Sequence, residues 1–191
     1  MRFFIFTVVF LIFSPCAMAS TAYEQCRNHF LHGQYFLAEK SCLLAAEEGS
    51  CDAQKWLAFM YSKGKGVKQD YGKAVIWLKK SAKSGDANSQ YHLGRFFQFG
   101  NGVKQDYKTA RHWYEESARQ GDGNGLYALA NVYRKGLGVD VNIPLAYAFY
   151  NLSAEAGLVL AEQQVDLLSG ELTAEEKKAA KKLAAEFIGG H

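Results

Sequence analysis

The chain repeats itself at a spacing of 36 residues, and this constrains its fold more than any other feature. The stretch Gly64 to Ala74 (GKGVKQDYGKA) returns at Gly100 to Ala110 (GNGVKQDYKTA) and, more loosely, at Gly136 to Ala146 (GLGVDVNIPLA). No insertion separates the copies, which is the signature of a stacked array in which each unit buries its apolar face against its neighbours. Upstream of each copy, Leu57, Ala58 and Tyr61 are matched by Leu93, Gly94 and Phe97, then by Leu129, Ala130 and Tyr133. These spacings of one, three and four mark one face of a helix. Downstream, Ala74, Trp77, Leu78 and Ala82 are matched by Ala110, Trp113, Tyr114 and Ala118, then by Ala146, Phe149, Tyr150 and Ala154. Each unit therefore reads as helix A, a Gly-x-Gly-Val loop and helix B.

The punctuation has a mechanical reading. Glycines let helix A stop in a left-handed conformation and the chain reverse. Asp70, Asp106 and Asn142 stand before helix B as N-caps, each worth about 1 kcal/mol. Pro144 falls in a first turn, where a missing N–H costs little. Gly85, Gly121 and Gly157 end the B helices. Residues 20–50 read as a shortened hairpin around Gly33, with Ala38, Cys42 and Ala46 on its second helix. Residues 51–159 hold the three repeats. In residues 160–191, the stretch from Leu158 to Leu168 reads as a further helix A. A final helix follows, capped by Thr173 with Glu176 in a capping box, with a predicted apolar stripe of Ala180, Leu183 and Phe187. The fold class is all-α, an α/α superhelix of about four helix-turn-helix repeats with a C-terminal capping helix.

These residues resemble Sel-1-like repeats, relatives of the tetratricopeptide repeat. The best copy runs from Ser89 through Leu93, Gly94, Phe97, Gly100, Gly102, Val103, Asp106, Ala110 and Trp113 to Ala118. Departures are Ala58 and Ala130 at the close-contact glycine and the missing Lys-Gln-Asp of the third loop. The resemblance implies a right-handed α-solenoid acting as an adaptor or scaffold, with helix A lining the concave surface. Exported bacterial members are associated with envelope assembly, secretion, signalling and host contact. A cysteine-rich branch linked to β-lactam binding or hydrolysis carries a cysteine pair in nearly every repeat, which this chain does not.

If Leu57, Ala58 and Tyr61 face the core, neighbouring helix A positions face the groove. Those are Lys55, Trp56, Phe59 and Lys63, then Tyr91, His92, Arg95 and Phe99, then Tyr127, Asn131 and Arg134. Aromatic residues interleaved with Lys and Arg suit an extended peptide or helix with apolar anchors and some acidic groups. The competing reading is that these aromatics fill the seam between repeats. The expected partner is a protein or peptide of the cell envelope. The alternative is binding or hydrolysis of a small molecule, a peptidoglycan fragment or a β-lactam.

The N-terminus bears on location. Arg2, the apolar run Phe3–Phe13 interrupted only by Thr7, Pro15, and Ala17-Met18-Ala19 read as a signal peptide, residues 1–19, cleaved after Ala19. The run is short of the about 20 apolar residues that span a bilayer, which disfavours an uncleaved anchor. Pro15 and Phe13 disfavour a lipoprotein site at Cys16. The expected location is periplasmic or secreted, with no integral membrane segment after cleavage. An oxidising compartment favours a bridge among Cys26, Cys42 and Cys51. Cys26 and Cys42 face each other across the Gly33 turn, within disulfide range, and are the predicted pair. A Cys42–Cys51 bridge is the alternative, with Cys51 otherwise a small residue at a helix start.

A net charge of +3 without a basic block argues against a nucleic-acid footprint. His29 and His32 have metal-ligand spacing but no acidic or thiol neighbour to complete a site, so no metal is expected. Gly-x-Gly-Val follows no strand and precedes no Gly-Lys-Ser/Thr, so it is a hairpin turn rather than a phosphate loop. No acid, base and nucleophile converge. The sequence predicts neither catalytic residues nor a cofactor.

Overall fold

A computed structural model describes residues 21–189, all helical and without a strand. The predicted signal segment, residues 1–19, lies outside the described residues. The N-terminal hairpin pairs α1 (Thr21–Leu31) with α2 (Tyr35–Glu47). Three hairpins follow: α3 (Cys51–Lys63) with α4 (Tyr71–Lys83), α5 (Ala87–Phe99) with α6 (Tyr107–Arg119), and α7 (Gly123–Lys135) with α8 (Ile143–Glu155). The chain ends in α9 (Val159–Ser169) and α10 (Ala174–Gly189). In the three repeats each A helix packs on its own B helix and on the B helix before it, giving a helical-repeat solenoid.

The loops close by the same bonds in all three repeats. Gly64, Gly100 and Gly136 end the A helices in the left-handed conformation. The N–H of Asp70 then donates to the carbonyl of Tyr61 (2.8 Å), Asp106 to Phe97 (2.9 Å) and Asn142 to Tyr133 (2.9 Å). The side chains of Asp70, Asp106 and Asn142 turn forward and accept first-turn N–H groups of the B helices. Gln69 and Gln105 staple the first two loops through Nε2 donated to the carbonyls of Ser62 and Gln98. Val141 holds that position in the third loop and has no such donor. A second set of caps escaped the sequence reading: Ser50, Asp86 and Asp122 accept N–H groups at the starts of the A helices.

The second loop glycine does more than turn the chain. Gly66, Gly102 and Gly138 lie against the start of the B helix in the preceding hairpin. A Cβ on Gly102 would stand 2.5 Å from the Tyr71 carbonyl carbon, and one on Gly66 2.4 Å from that of Tyr35. Both positions also have φ near +70°. The first two loops are thus set backbone-to-backbone on the preceding hairpin, and the third sets Gly138 against the Cβ of Tyr107, contacts that a side chain on the glycine would prevent.

The core runs through the seam residues. Leu57, Leu93 and Leu129 are fully buried, as are Ala74, Ala110 and Ala146 to within 1%. At Gly94 a Cβ would meet the Tyr114 ring at 2.6 Å, so the glycine of the second repeat answers a tyrosine on helix B. The first repeat pairs Ala58 with Leu78 at the same positions. Trp77 and Phe149 are buried and Trp113 is half-buried.

At the front, Cys26 and Cys42 are bridged with Cα atoms 4.6 Å apart, which excludes the Cys42–Cys51 alternative. Cys51, buried at the first position of α3, is not a free thiol. At the back, α10 packs on α8 and α6 rather than on α9. The reason is visible in register. Where Ala58, Gly94 and Ala130 accept their B helix, α9 carries the exposed Asp166, and a carboxylate there would have to be desolvated under a packed helix. The face of α10 that packs is Ala180 and Ala184, with Phe187 and Ile188 half-buried beside them. Leu183, placed in the stripe by sequence, is 59% exposed. It lies one residue, about 100° of helix, from Ala184. The capping box forms: Thr173 N–H donates to Glu176 Oε2 (2.9 Å), and Glu176 N–H to Thr173 Oγ1 (3.2 Å).

Two stability predictions follow from these contacts. Gly121 has φ +75° but open space around it, so Gly121→Ala costs about 1 kcal/mol from backbone conformation alone. Gly102→Ala adds a backbone collision and costs roughly 3 kcal/mol or more. Urea unfolding midpoints of the two variants check this, and equal losses would refute the docking role of the second glycine. Replacing Cys26 and Cys42 together by Ser removes a 16-residue closure and lowers stability by about 3 kcal/mol. Dithiothreitol, which also reduces the Cys51 disulfide, should destabilise the wild type by at least that amount in the same unfolding assay.

Candidate functional site

The A helices are not equally close. α5 leans on α7 and α1 on α3, but α3 and α5 stand apart. Where α5 carries His92, α7 carries Ala128, a small side chain that lets α7 close on its neighbour. The opening between α3 and α5 is a cleft of about 490 Å³. From α3 it is lined by Lys55, Trp56, Phe59 and Lys63, and from α5 by His92, Arg95 and Phe99. All seven were counted as groove-facing from the repeat register.

The remaining predicted groove residues lie elsewhere. Tyr91 packs 6.1 Å from the Tyr114 ring, and Tyr127 sits edge-on to Tyr150 at 5.2 Å. Asn131 Nδ2 donates to the Tyr127 carbonyl at 2.9 Å, and Arg134 donates to Gln164 Oε1, tying α7 to α9. Asn131 thus bonds within α7, and Tyr91, Tyr127 and Arg134 serve the seams between helices. The same tie changes the core behind it. Tyr114 donates its hydroxyl to Gln98 Oε1 (2.6 Å), but Arg134 occupies the Gln98 position in the third repeat. Tyr150, buried at the Tyr114 position, has no hydrogen-bond partner among the described residues, and burial pushes its pKa up to about 12.

The sequence reading missed other parts of the lining. Asp52 and Asn88 also line the cleft and stand three residues before Lys55 and Tyr91, a helical spacing that was a signal for them and went unused. Phe96 aligns with Met60 and Val132, both buried, so the repeat register gives it no groove position. Phe30 comes from α1, outside the repeat, where no register exists to align it. In the cleft its ring stacks on Trp56 at 5.0 Å and meets Phe59 edge-on at 5.8 Å.

The charges of the cleft are unequally satisfied. Lys55 Nζ lies between Asp52 (2.9 Å) and Asp86 (3.0 Å). Burial works against its charge, but hydrogen bonds and the fields of the two carboxylates outweigh this and raise its pKa. Asp86 also caps α5, so Lys55 is a strut holding the end of the cleft. Arg95 lies between the rings of Tyr91 (5.8 Å) and Phe99 (5.9 Å). Among the described residues neither Arg95 nor Lys63 has a carboxylate partner. His92 has its pKa lowered, first by burial and then by Arg95, with Lys63 adding to it and Asp122 and Asp86 opposing. Its imidazole is neutral at pH 7.

The two other histidines raised as metal ligands each have a local partner. His29 Nδ1 is 3.3 Å from Ser41 Oγ, and His32 Nδ1 is 2.8 Å from the Asn28 carbonyl. Among the described residues no group of three His, Cys, Asp or Glu side chains could hold a metal ion. No described helix is long and apolar enough to cross a membrane.

Stacked 36-residue helical hairpins with an open cleft between two A helices define a repeat scaffold of the α-solenoid class. The Sel1 repeat model matches residues 51–86, 87–122 and 123–158, and the chain belongs to the Sel1-repeat family. A crystal structure of a Sel1 repeat protein from Oxalobacter formigenes superposes with a TM-score of 0.70 at 25% identity. That match covers 74% of this chain and 58% of the other. A protective antigen of uropathogenic Escherichia coli strains with an SLR fold, c5321, is 28% identical, with a TM-score of 0.48 over 88% of this chain and 45% of its own. This chain thus spans less than two thirds of either relative. Among curated proteins none matches the sequence.

The state of His92 has a measurable consequence. Its folded pKa lies below its unfolded value, so the unfolded chain binds more protons in acid. Stability from this group is present above the unfolded pKa of about 6.5 and is lost as pH falls through it toward the folded value. His92→Asn should therefore lose less melting temperature than wild type between pH 7.5 and pH 5. Parallel losses in the two proteins would contradict a half-buried imidazole held toward its neutral form.

Proposed function

We propose that this protein is an interaction adaptor of the bacterial cell envelope that binds a partner protein or peptide through the concave A-helix face. Sel1-repeat proteins are generally protein-interaction scaffolds, typically non-enzymatic, and the family assignment supplies that much. The observation that carries the finer reading is the cleft between α3 and α5. It presents the exposed rings of Phe59 and Phe99 beside two cations without carboxylate partners, where a folded monomer gains nothing by leaving them open. Export is supported by the N-terminal sequence pattern and by the Cys26–Cys42 bridge, which belongs to oxidising compartments. One observation favours the small-molecule alternative: about 490 Å³ is also the size of a ligand pocket.

In-cell crosslinking and capture of the exported protein tests this reading. Phe99→Ala combined with Arg95→Ala should abolish recovery of a specific partner. Leu183→Ala, equally exposed but on α10, should leave it intact. Equal recovery with all three proteins would move the binding surface off the concave face. Binding of peptidoglycan fragments or a β-lactam, lost in the double variant, would favour the alternative.

A further inference from the structure

The cleft has a direction that its list of residues conceals. Lys55, which the sequence counts among the groove cations, is neutralised by Asp52 and Asp86. Arg134 is spent on Gln164. The unmatched positive charge is therefore confined to Lys63, the last residue of α3, and Arg95, in the final turns of α5. Aromatic surface dominates the rest of the α3 wall, where Phe30, Trp56 and Phe59 form one ring cluster. A ligand matched to this surface carries an aromatic or large aliphatic side chain at one end and a carboxylate at the other. His92 lies on the α5 wall at the register level of Trp56, one helical turn before Arg95, with its ring 5.0 Å from that of Tyr91.

Resting on the concave-face reading above, we infer that the cleft takes an acidic, aromatic peptide segment. Its carboxylate lies at the Lys63–Arg95 end, and its binding draws a proton onto His92. The charged groups whose fields reach the imidazole are Arg95 on its own helix, Lys63 on α3, and the cap carboxylates Asp86 and Asp122. Lys55 and Asp52 also line the cleft but are paired with each other. Arg95 and Lys63 both oppose protonation of His92. A bound carboxylate offsets both and can accept a hydrogen bond from the imidazolium. By linkage, a ligand that favours the protonated ring binds more tightly as pH falls, as long as its own carboxylate stays ionised.

The test titrates the isotope-labelled full-length exported protein with three capped dipeptides, N-acetyl-Phe-Glu-amide, N-acetyl-Phe-Gln-amide and N-acetyl-Phe-Lys-amide, following the Trp56 indole and His92 ring resonances. The Glu probe should bind about tenfold more tightly than the Lys probe at pH 7.5, and about fivefold more tightly at pH 5.5 than at pH 7.5. Arg95→Ala should remove the preference for Glu, and His92→Gln should remove the pH dependence. The His92 ring shifts in wild type report protonation directly, so the coupling is read even if the His92 variant folds poorly. Preference for the Lys probe overturns the acidic partner. Glu-probe binding with the same affinity at both pH values, or with no protonation of His92, overturns the coupling. Failure of every probe to perturb the cleft, alongside captured partner that depends on Phe99 and Arg95, overturns this inference and leaves the adaptor reading standing. Failure of both experiments removes both.

Discussion

The array depends on one contact, the approach of each loop to the backbone of the hairpin before it. Gly66, Gly102 and Gly138 place a repeat's loop on the first turn of the preceding B helix at distances where a Cβ cannot exist. That seat fixes the separation of successive hairpins, because at Gly66 and Gly102 both sides of the contact are main chain and cannot repack as side chains do, and at Gly138 the nearest atom is the Cβ of Tyr107. The loop that delivers the glycine is held by the Gly64-type helix stop and by the N–H of the B-helix cap bonded back to helix A. One short segment therefore serves as turn, helix stop, helix start and inter-repeat contact. Its near-identity in the first two copies and its tolerance in the third have the same cause. The glycines and the cap position meet backbone, whereas Val141 replaces only the side-chain staple of Gln69 and Gln105.

With the hairpin spacing set this way, side-chain volume decides how the A helices meet. Small residues at the seam let α5 and α7 lean together, and Arg134 extends that closure to α9. Trp56, Phe59, His92 and Phe96 are too large for the same closure between α3 and α5, and the strut from Lys55 to Asp86 holds the two helices at the end of the cleft. The opening is thus a local consequence of residues that break the repeat's pattern on one face while keeping it on the other. The cleft of this array lies where equivalent positions stop being equivalent.

The candidate site was only partly readable from sequence for that reason. Periodicity assigns a position to a face, and it grouped Trp56, Phe59, His92, Arg95 and Phe99, which line one cleft. It says nothing about pairing across the seam. Tyr91 and Lys55 share a register position, yet one packs on Tyr114 and the other is held by two carboxylates. Phe30 enters from a hairpin that does not repeat, and Phe96 is displaced into the cleft from a position that is core in both other copies.

The sequence by itself determined the helical hairpins, their number and stops, the caps before the B helices and Cys26 with Cys42 as the favoured pair. All of these are set by neighbours within one unit, where a spacing implies a geometry. The tertiary structure alone decided which A helices close, which cations remain unmatched and where the last helix goes. Asp166 diverts α10 onto α8 and α6, and Ala184 rather than Leu183 then meets the core. Such outcomes turn on volumes and charges contributed by different units, and a repeat pattern averages over the differences that distinguish them.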